Sequence, residues 1–219
     1  MTNVFSFCLY GARDKYCLGM IENLKIINDH FPDWFIHICY ADDVPSTIIE
    51  DILTYKNVVI KRTGIIGHEN MVYRFFPIDE PDVERMCVRD ADSRIHERDR
   101  WAIREWVRSG KPFHIIRDHP YHTTQIMGGA WAACKAAFNG TTVESLYYNY
   151  KHYCKNFGED QHFLARVIYP IVWQNALYHC CVRMTGMEPI VAIPFPIRNG
   201  EFIGQAVEYV DGLAVPTTE

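Results

Sequence analysis

Two aspartates, Asp90 and Asp92, stand one residue apart where an apolar segment of the sequence ends. In an extended segment, residues i and i+2 point to the same side, so both carboxylates can aim at one point. Two such like charges repel each other unless a positive charge lies between them. Hard cations such as Mg²⁺ and Mn²⁺ bind carboxylate oxygens and complete their shell with phosphates and water. The pair therefore predicts a divalent-cation site, with a solvated, helix-capping turn as the alternative.

Polar residues also follow several other apolar runs, at the points where predicted strands end. In sheets of parallel strands, ligands bind at the carboxyl ends of the strands, so these residues are expected to share one edge. They are Tyr10, Gly11, Arg13, Asp42, Arg62, Arg117, Asp118, His119 and His122. Their convergence with the aspartate pair predicts a polar binding site along that edge.

The elements that must position these residues alternate along the chain between strand and helix patterns. Apolar runs predict strands at residues 4–11, 34–43, 57–63, 85–92, 113–120 and 175–184. Apolar residues at helical spacing predict helices at residues 14–31, 45–55, 98–110, 141–156 and 160–173, and one or two turns at 71–78. Segment 128–138 fits a strand or a helix, and segment 193–205 predicts a loop. This alternation predicts one α/β domain, residues 1–219, with a mostly parallel sheet flanked by helices.

The composition excludes several classes of protein. The net charge of −5 lacks the basic excess that nucleic-acid-binding domains usually show. No run approaches the ~18 apolar residues of a transmembrane segment, and the first residues lack the pattern of a signal peptide. The eight cysteines form no C-x-x-C pair and indicate reduced thiols. We therefore expect a cytoplasmic protein.

The stretch VRDADSRIHERDRWAIREWVRSGKPFHIIRDHPYHTTQIMGGAWA resembles the central block of nucleotide-sugar glycosyltransferases with the GT-A fold. More narrowly, the chain resembles the small D-x-D enzymes encoded by chlorella viruses and other large DNA viruses. A viral source would place the protein in the host cytoplasm. The similarity extends from FSFCLYG to PFPIRNGEFIGQ and is strongest over residues 86–131. It implies a single GT-A (Rossmann-like) domain, with a nucleotide-binding half at about 1–95 and a sugar and acceptor half at about 96–219.

The resemblance implies that the first half of the chain binds the nucleotide and the metal. Asp90 and Asp92, with Ala91 between them, would hold Mn²⁺ or Mg²⁺ on the diphosphate of a UDP-sugar, where the metal acts as a Lewis acid. In enzymes of this kind the loop after the first strand binds the nucleotide. Tyr10 could stack on the base and Gly11 could let the backbone approach closely, although a plain tight turn explains the loop as well.

The remaining candidates on the nucleotide side are charged residues with ordinary alternatives. Arg13 belongs to the same loop as Tyr10. Asp42 could accept a hydrogen bond from the base or ribose, or could cap a helix. Arg62 and Arg74 could contact the base or the phosphates, or could simply lie solvated at the surface.

The second half carries the residues expected around the sugar. Asp118 could bind sugar hydroxyls, and the nearby histidines could bind sugar or phosphate, or ligate a metal. Two glycines leave a bare backbone beside Trp131, whose ring suits a sugar face or a core. The candidate substrate-binding residues are Arg117, His119, Gly128, Gly129, Trp131 and Glu159, and the candidate catalytic residues are Asp118, Asp160 and Gln161.

Glu159, Asp160 and Gln161 open a predicted helix, where acidic residues are ordinary partners of the helix dipole. The sequence E-D-Q resembles the D-Q turn of some retaining GT-A enzymes and also the acidic turn that holds the base of inverting ones. An inverting enzyme needs a base for the acceptor hydroxyl, whereas a retaining enzyme needs front-side help or a nucleophile. Asp160 is the candidate carboxylate, and the D-Q resemblance favours retention while both outcomes stay open.

Many enzymes of this fold take a third metal ligand, often a histidine, from near the C-terminus. The segment PFPIRNGEFIGQ contains no histidine, which leaves water, phosphate or an upstream residue as the third ligand. Arg198 in this segment could reach the diphosphate as part of a mobile flap that closes over the donor.

The sequence thus favours a metal-dependent enzyme that moves a hexose or deoxyhexose from a UDP-sugar to a hydroxyl of a glycan acceptor. A non-catalytic carbohydrate- or nucleotide-sugar-binding domain is the alternative, which explains the 14% aromatic residues but not the paired aspartates. A dehalogenase-like phosphatase would carry its D-x-D after the first strand. A nucleotidylyltransferase would carry a glycine-rich basic loop there, and YGARDKY has one glycine. Whether further domains belong to a longer polypeptide stays open.

Overall fold

The computed structural model describes residues 1–151, 159–195, 197 and 200–217. The strands of this part of the chain are β1 (Thr2–Leu9), β2 (Phe35–Tyr40), β3 (Val58–Arg62), β4 (Val83–Arg89), β5 (Phe113–Arg117), β6 (Ala130–Cys134), β7 (Ala176–Cys180), β8 (Ile190–Val191), β9 (Val207–Val210) and β10 (Leu213–Pro216). The α-helices are α1 (Asp14–His30), α2 (Ser46–Ile52), α3 (Glu97–Ser109), α4 (Val143–Lys151), α5 (Glu159–Phe163) and α6 (Tyr169–Val172).

The first eight strands form one sheet in the order β3-β2-β1-β4-β6-β5-β7-β8, while β9 and β10 form a separate antiparallel hairpin. Every neighbouring pair of the large sheet is parallel except the two pairs made by β6, which runs antiparallel to β4 and β5. The carboxyl ends of the parallel strands therefore meet at one edge, and the expected α/β class with a mostly parallel sheet is confirmed.

The antiparallel strand β6 brings its first residues to the edge where β4 ends. Arg89, the last residue of β4, pairs with Ala130, the first residue of β6. Gly128 and Gly129 therefore enter the sheet beside the residues that leave β4. A parallel strand at this place would have put its own carboxyl end there instead.

Two hydrophobic clusters cover the two faces of the sheet, because successive side chains of a strand point to opposite faces. In β1, Phe5 and Phe7 join a cluster with Trp106 of α3, whereas Val4 joins the cluster that contains Phe163 of α5. The sheet is thus buried between two helical layers, which explains why its strands read as continuous apolar runs.

The helix that follows the aspartate pair has a clear physical origin in its sequence. Ala102, Ile103 and Trp106 are buried at helical spacing on one face of α3, and charged residues occupy the other face. The helix ends at Gly110, which has a φ of 67° in the left-handed region that favours glycine. Within the described residues, each predicted helix and strand has its counterpart in the structure, with shifted ends.

Several elements differ from the sequence expectation or add to it. Residues 71–78 lie within a longer 3₁₀ segment, Gly67–Asp79, rather than one or two turns. The ambiguous segment 128–138 contains the strand β6, followed by a short 3₁₀ turn, Lys135–Phe138. The hairpin of β9 and β10 was not predicted, because its strands are only four residues long and β10 is exposed. The helix expected at 141–156 extends partly into residues outside the described ranges.

Within the described residues, no helix combines the length and the apolar character needed to span a bilayer. The cysteines of the same part of the chain are all free thiols, and most are buried. Burial raises the pKa of the Cys39 and Cys87 thiols to about 12. Such thiols behave as small apolar groups rather than as nucleophiles.

A buried ion pair joins the end of β4 to α3. Arg89 donates to both carboxylate oxygens of Asp99, at 2.8 and 2.7 Å, and both side chains are 1% exposed. Arg89 also donates to the carbonyl oxygens of Val88 and Trp131. This pair fixes the start of α3 beside the last residue of β4, directly before the aspartate pair.

Removing Asp99 should destabilise the protein strongly because it leaves the Arg89 charge buried without its partner. We expect Asp99→Ala to lower the free energy of unfolding in urea by about 3–5 kcal/mol. The double variant Arg89→Met/Asp99→Leu should recover most of this loss. Lys25→Ala, which removes an exposed pair with Glu22, is the control and should change stability little. Equal effects of Asp99→Ala and the control would contradict the prediction.

Candidate functional site

The aspartate pair lies in a turn, not in the extended segment that the sequence suggested. Strand β4 ends at Arg89, and the backbone N–H of Ser93 closes the turn by donating to the carbonyl oxygen of Asp90 at 3.3 Å. Asn23 of α1 holds the same turn by donating to the carbonyl oxygen of Ser93 at 2.8 Å. The prediction that Asp90 and Asp92 lie in an extended segment is therefore wrong. The capping alternative is not seen either, because α3 begins only at Glu97.

Both carboxylates nevertheless face one space. Asp90 and Asp92 line a pocket of about 170 Å³ at the strand-end edge of the sheet. The lining residues are Cys8, Tyr10, Tyr16, Met71, Arg74, Asp90, Ala91 and Asp92. The rings of Tyr10 and Tyr16 lie 5.6 Å apart and form an aromatic wall of this space. We call this space the carboxylate pocket.

Arg74 is the charged centre of the site. It is 3% exposed, and it contacts Asp90 through Nη1 and Asp160 through Nη2, the second at 3.2 Å. Burial opposes the guanidinium charge, but the carboxylates of Asp90 and Asp160 raise the pKa of Arg74 above its ordinary value. A single permanent cation thereby ties the end of β4 to the first turn of α5, as one unit.

The two glycines before β6 are needed for space. A Cβ on Gly129 would fall inside the carboxylate of Asp90. A Cβ on Gly128 would lie 2.9 Å from Nη2 of Arg74 and 3.0 Å from Oδ2 of Asp160. Neither glycine has a positive φ, so the requirement comes from the close approach of the carboxylates and not from backbone conformation. The predicted bare backbone is thus present, and carboxylates occupy the space above it.

Asp92 has an incomplete set of positive partners. Its nearest cation is Nζ of Lys15 at 3.5 Å, and Lys15 also binds Glu208 more closely, at 2.8 Å. Burial, followed by the charge of Asp90, raises the pKa of the Asp92 carboxyl to about 6, against the opposing effect of Lys15. The pocket therefore carries more negative charge than its own side chains neutralise.

The carboxylate pocket fits a hard divalent cation. Its donors are carboxylate oxygens, and the raised pKa of Asp92 shows a charge that a cation would relieve. Within the described residues no group of three acidic, histidine or cysteine side chains is placed to hold a metal. Asp90 and Asp92 would thus be the two protein ligands. Phosphate and water oxygens would complete the coordination shell, as they commonly do for Mg²⁺ in proteins.

A second, smaller pocket of about 70 Å³ shares Asp90 and Arg74 with the first. Its lining consists of Met71, Arg74, Asp90, His122, Met127, Gly128, Gly129, Ala130, Gln161 and Gly204. We call it the glycine pocket, because Gly128, Gly129 and Gly204 contribute bare backbone to it. Gln161 lines this pocket directly. Asp160 lies behind the lining, where its carboxylate contacts Arg74 and lies close to Gly128. Both candidates, Asp160 and Gln161, are therefore at this pocket.

The catalytic candidate Asp118 and the substrate-binding candidates Arg117 and Trp131 line neither pocket. Arg117 is fully buried in an ion pair with Glu188 at 2.6 Å. Both carboxylate oxygens of Asp118 accept from Arg98, at 2.6 and 2.5 Å, and the backbone N–H of Ile203 also donates to Asp118. Trp131 is fully buried in the core and stacks on Phe113. Their contacts are internal, so their substrate roles remain predictions that the geometry does not favour.

Several other candidates near the ends of β1, β2 and β3 line neither pocket. Asp42 accepts two hydrogen bonds from Arg62, at 2.8 and 2.9 Å, so these two candidates bind each other at the surface. Gly11, with a φ of 70°, donates its N–H to Asp43. Arg13 is largely exposed and lies 3.5 Å from Glu208.

On the opposite side of the site, the ring of His119 stacks on Phe202 at 4.1 Å. Glu159, at the start of α5, lies beside the hydroxyl of Tyr147. Arg198, the candidate flap cation, lies outside the described residues.

The structure adds residues that the sequence patterns did not indicate. Lys15 and Tyr16 reach the carboxylate pocket from the first turn of α1, and Met71 reaches both pockets from the 3₁₀ segment. Lys15 lies only a few residues after the loop that follows the first strand, and this position was the one sequence feature that could have indicated it. Arg98 stands in a run of arginines on α3, where nothing in the sequence marks it as the partner of Asp118.

A larger pocket of about 270 Å³ lies between α1 and α3, away from the strand ends. Its lining is apolar apart from two arginines: Phe31, Trp34, Ile103, Arg104, Val107 and Arg108. Size alone would favour this groove, but it brings together no carboxylate, histidine or thiol. We therefore place the candidate chemistry at the two smaller pockets, where charged groups converge.

No family model and no curated protein sequence matches the chain. Solved structures do match. A glycosyltransferase involved in glycosylation of the major capsid of PBCV-1 aligns with a TM-score of 0.53 and 11% identity, over 82% of each chain. TarS 1–349 of S. aureus, in complex with UDP-GlcNAc, aligns with a TM-score of 0.52 and 12% identity, over 88% of this chain and 62% of that one.

The galactosyltransferase LgtC, in complex with donor and acceptor sugar analogs, aligns with a TM-score of 0.51 and 10% identity, over 81% of this chain and 73% of that one. The chain shares its fold with these glycosyltransferases. At such low identity the likeness establishes the fold, and the activity must be argued from the site.

The raised pKa of Asp92 predicts how stability depends on pH. Because the pKa in the folded state, about 6, lies above the ordinary unfolded value of about 3.9, the folded protein binds more protons between these values. Stability should therefore fall as pH rises through this window and stay reduced above it. We expect Asp92→Asn to be about 1–3 kcal/mol more stable than wild type at about pH 7.5, with the difference vanishing near pH 4.

Urea unfolding without divalent cations measures this difference. Asp42→Asn, at an exposed carboxylate, is the control and should show no comparable gain at high pH. If Asp92→Asn were no more stable than wild type at neutral pH, the carboxylate would not be destabilising in the folded state.

Proposed function

We propose that the protein is a metal-dependent glycosyltransferase that moves a sugar from a UDP-sugar to a hydroxyl of a glycan acceptor. The observation that carries the proposal is the pair of carboxylates, Asp90 and Asp92, lining one pocket with surplus negative charge at the strand ends. The fold, shared with three glycosyltransferases of which one is in complex with UDP-GlcNAc, supports the same reading. Open α/β sheets bind ligands at this edge.

The carboxylate pocket supports a nucleotide diphosphate subsite. Tyr10 and Tyr16 offer aromatic faces at one end, on which a base can stack. Asp90 and Asp92 at the other end would hold Mn²⁺ or Mg²⁺, which when bound supplies Lewis-acid stabilisation of the departing diphosphate. Lys15 adds a cation at the same end and can turn from Asp92 to a phosphate oxygen.

The glycine pocket supports the sugar subsite. Gly128 and Gly129 let a sugar approach the backbone, and Gln161 offers an amide to its hydroxyls. Arg74 holds the carboxylate of Asp160 in place and lines both pockets. The scissile bond would thus lie above Arg74 and Asp90, the two residues that the pockets share.

The position of Asp160 supports a retaining reaction. Its side chain is only 10% exposed, and the oxygen Oδ2 is engaged by Arg74. An inverting base must reach the acceptor hydroxyl from the open side of the sugar. Asp160 instead lies against Gly128 below the pocket, which suits stabilisation of positive charge on the sugar better than proton abstraction from an acceptor.

A nucleotide screen tests the donor site. We expect UDP, but not GDP, ADP or CMP, to raise the melting temperature in the presence of Mn²⁺, because a ligand at about 100 times its Kd adds about 2.7 kcal/mol of stability. The shift should disappear without the metal and in Asp92→Ala, since that variant loses one of the two metal ligands. Binding of no nucleotide under any condition would leave the carbohydrate-binding domain as the better hypothesis.

Gly129→Ala tests whether the position of Asp90 matters to donor binding. A methyl group there would displace the carboxylate, so we expect the Mn²⁺-dependent UDP shift to be lost while the protein remains folded. Gly186→Ala is the matched control, because its added Cβ meets no atom within 4 Å. Circular dichroism checks folding in both variants. Retained UDP binding in Gly129→Ala would show that the metal site does not depend on the observed carboxylate position.

The stereochemical outcome tests the mechanism. With a UDP-sugar of α configuration, we expect proton NMR of the early product to show an α-linked sugar. A β-linked product would establish inversion. It would require a base other than the enclosed carboxylate of Asp160.

A further inference from the structure

His122 is a buried ring at the glycine pocket that the proposed chemistry leaves unused. It is 6% exposed, and it lines the pocket together with Asp90, Gln161 and Gly204. It follows β5 by a short turn, in which its own backbone N–H donates to the carbonyl oxygen of His119 at 2.9 Å. The ring is thus a fixed part of the wall and not a mobile surface group.

The hydrogen bond of the ring determines which nitrogen carries the proton. The backbone N–H of Asp118 donates to Nδ1 of His122 at 3.1 Å. A nitrogen that accepts a hydrogen bond has its lone pair engaged, so the neutral ring carries its proton on Nε2. Since Asp118 is itself held by Arg98 and by the N–H of Ile203, this arrangement is rigid.

The ring is also kept neutral. Burial, with contributions from the neighbouring His119 and Arg117 that outweigh Asp118, lowers the pKa of His122 to about 4. At neutral pH the ring therefore presents one N–H donor and no positive charge. Among the described residues, no side chain or backbone group accepts a hydrogen bond from Nε2.

Two residues of the C-terminal segment, Phe202 and Gly204, lie against the ring of His122. Phe202 packs against the ring at a centroid distance of 5.4 Å, nearly perpendicular to it. Gly204, with a φ of 88°, lies near Cε1 and Nε2, and even an added Cβ there would stay 3.8 Å or more from the ring. Gly204 therefore contributes bare backbone near Nε2, at a pocket to which Gly128 and Gly129 also contribute bare backbone.

Resting on the proposed function, we propose that Nε2–H of His122 donates a hydrogen bond to a hydroxyl oxygen of the transferred sugar and so helps to select the donor. Two observations separate this role from metal or phosphate binding. His122 lines the glycine pocket and not the carboxylate pocket. With Nδ1 engaged, Nε2 carries a proton and offers no lone pair to a metal. A diphosphate is bound most strongly by positively charged donors, so an uncharged N–H donor is better matched to a sugar hydroxyl.

Two substitutions separate the donor from the structural hydrogen bond. His122→Asn places an amide oxygen near the position of Nδ1, which preserves the bond from Asp118 and removes the distal donor. His122→Gln can extend its amide N–H toward the position of Nε2, although it loses the short acceptor. The pair therefore tests the donor and the fold independently.

Isothermal titration with Mn²⁺ present measures the affinities of UDP, UDP-glucose, UDP-galactose and UDP-N-acetylglucosamine for each variant. We expect wild type to bind one UDP-sugar more tightly than UDP. His122→Asn should lower the affinity for that UDP-sugar by about fivefold to tenfold, which corresponds to the loss of one hydrogen bond. Its affinity for UDP should fall by less than about twofold. His122→Gln should recover part of the loss.

Other outcomes overturn the inference in distinguishable ways. Equal weakening of UDP and UDP-sugar would place the contact of His122 on the nucleotide. Unchanged affinities in His122→Asn, or a wild type that prefers no UDP-sugar over UDP, would leave the ring a purely structural group. Failure of wild type to bind UDP at all would remove the proposed function itself, and this inference with it.

Discussion

The buried guanidinium of Arg74, between Asp90 and Asp160, is the interaction on which the rest of the site depends. A permanent charge that is 3% exposed has lost nearly all its water, so it requires carboxylates at fixed positions around it. Those carboxylates come from the turn after β4 and the first turn of α5, which are distant in sequence. The close approach of their oxygens in turn excludes any side chain at Gly128 and Gly129. One cation therefore sets the backbone of three segments.

The balance of charge around Asp92 is different, and the difference is informative. The buried Arg74 pairs directly with Asp90 and Asp160, whereas Asp92 has only Lys15 at 3.5 Å, and Lys15 lies closer to Glu208. The fold thus keeps one carboxylate partly buried without a full partner, which costs stability and brings no structural gain. Residues that oppose stability in this manner are typical of binding sites, where a ligand supplies the missing charge. Asp92 is the residue of the pocket best explained by a ligand.

Periodicity predicted the sheet and most helices because buried parallel strands and amphipathic helices leave strong apolar patterns. It also placed the polar strand ends, and Asp90, Asp92 and Tyr10 do meet there. Position along a strand does not reveal what a side chain pairs with. Arg117 and Asp118 lie at the same edge, but each forms an internal ion pair. Arg117 pairs with Glu188, and Asp118 pairs with Arg98. Those partners come from remote segments, and only the tertiary structure brings them together. The need for glycine at 129 likewise follows from the antiparallel register of β6, which no local pattern encodes.

The segment from Asp118 to His122 shows how a residue can serve a site without touching its ligand. The carboxylate of Asp118 holds Arg98 and the N–H of Ile203, so it attaches the C-terminal segment to the end of β5. The backbone of the same residue fixes the proton of His122 on the pocket side of the ring. A substitution of Asp118 would therefore disturb the C-terminal segment and the histidine together, and loss of activity in it would not show a contact with substrate. Only changes at His122 itself separate recognition from support.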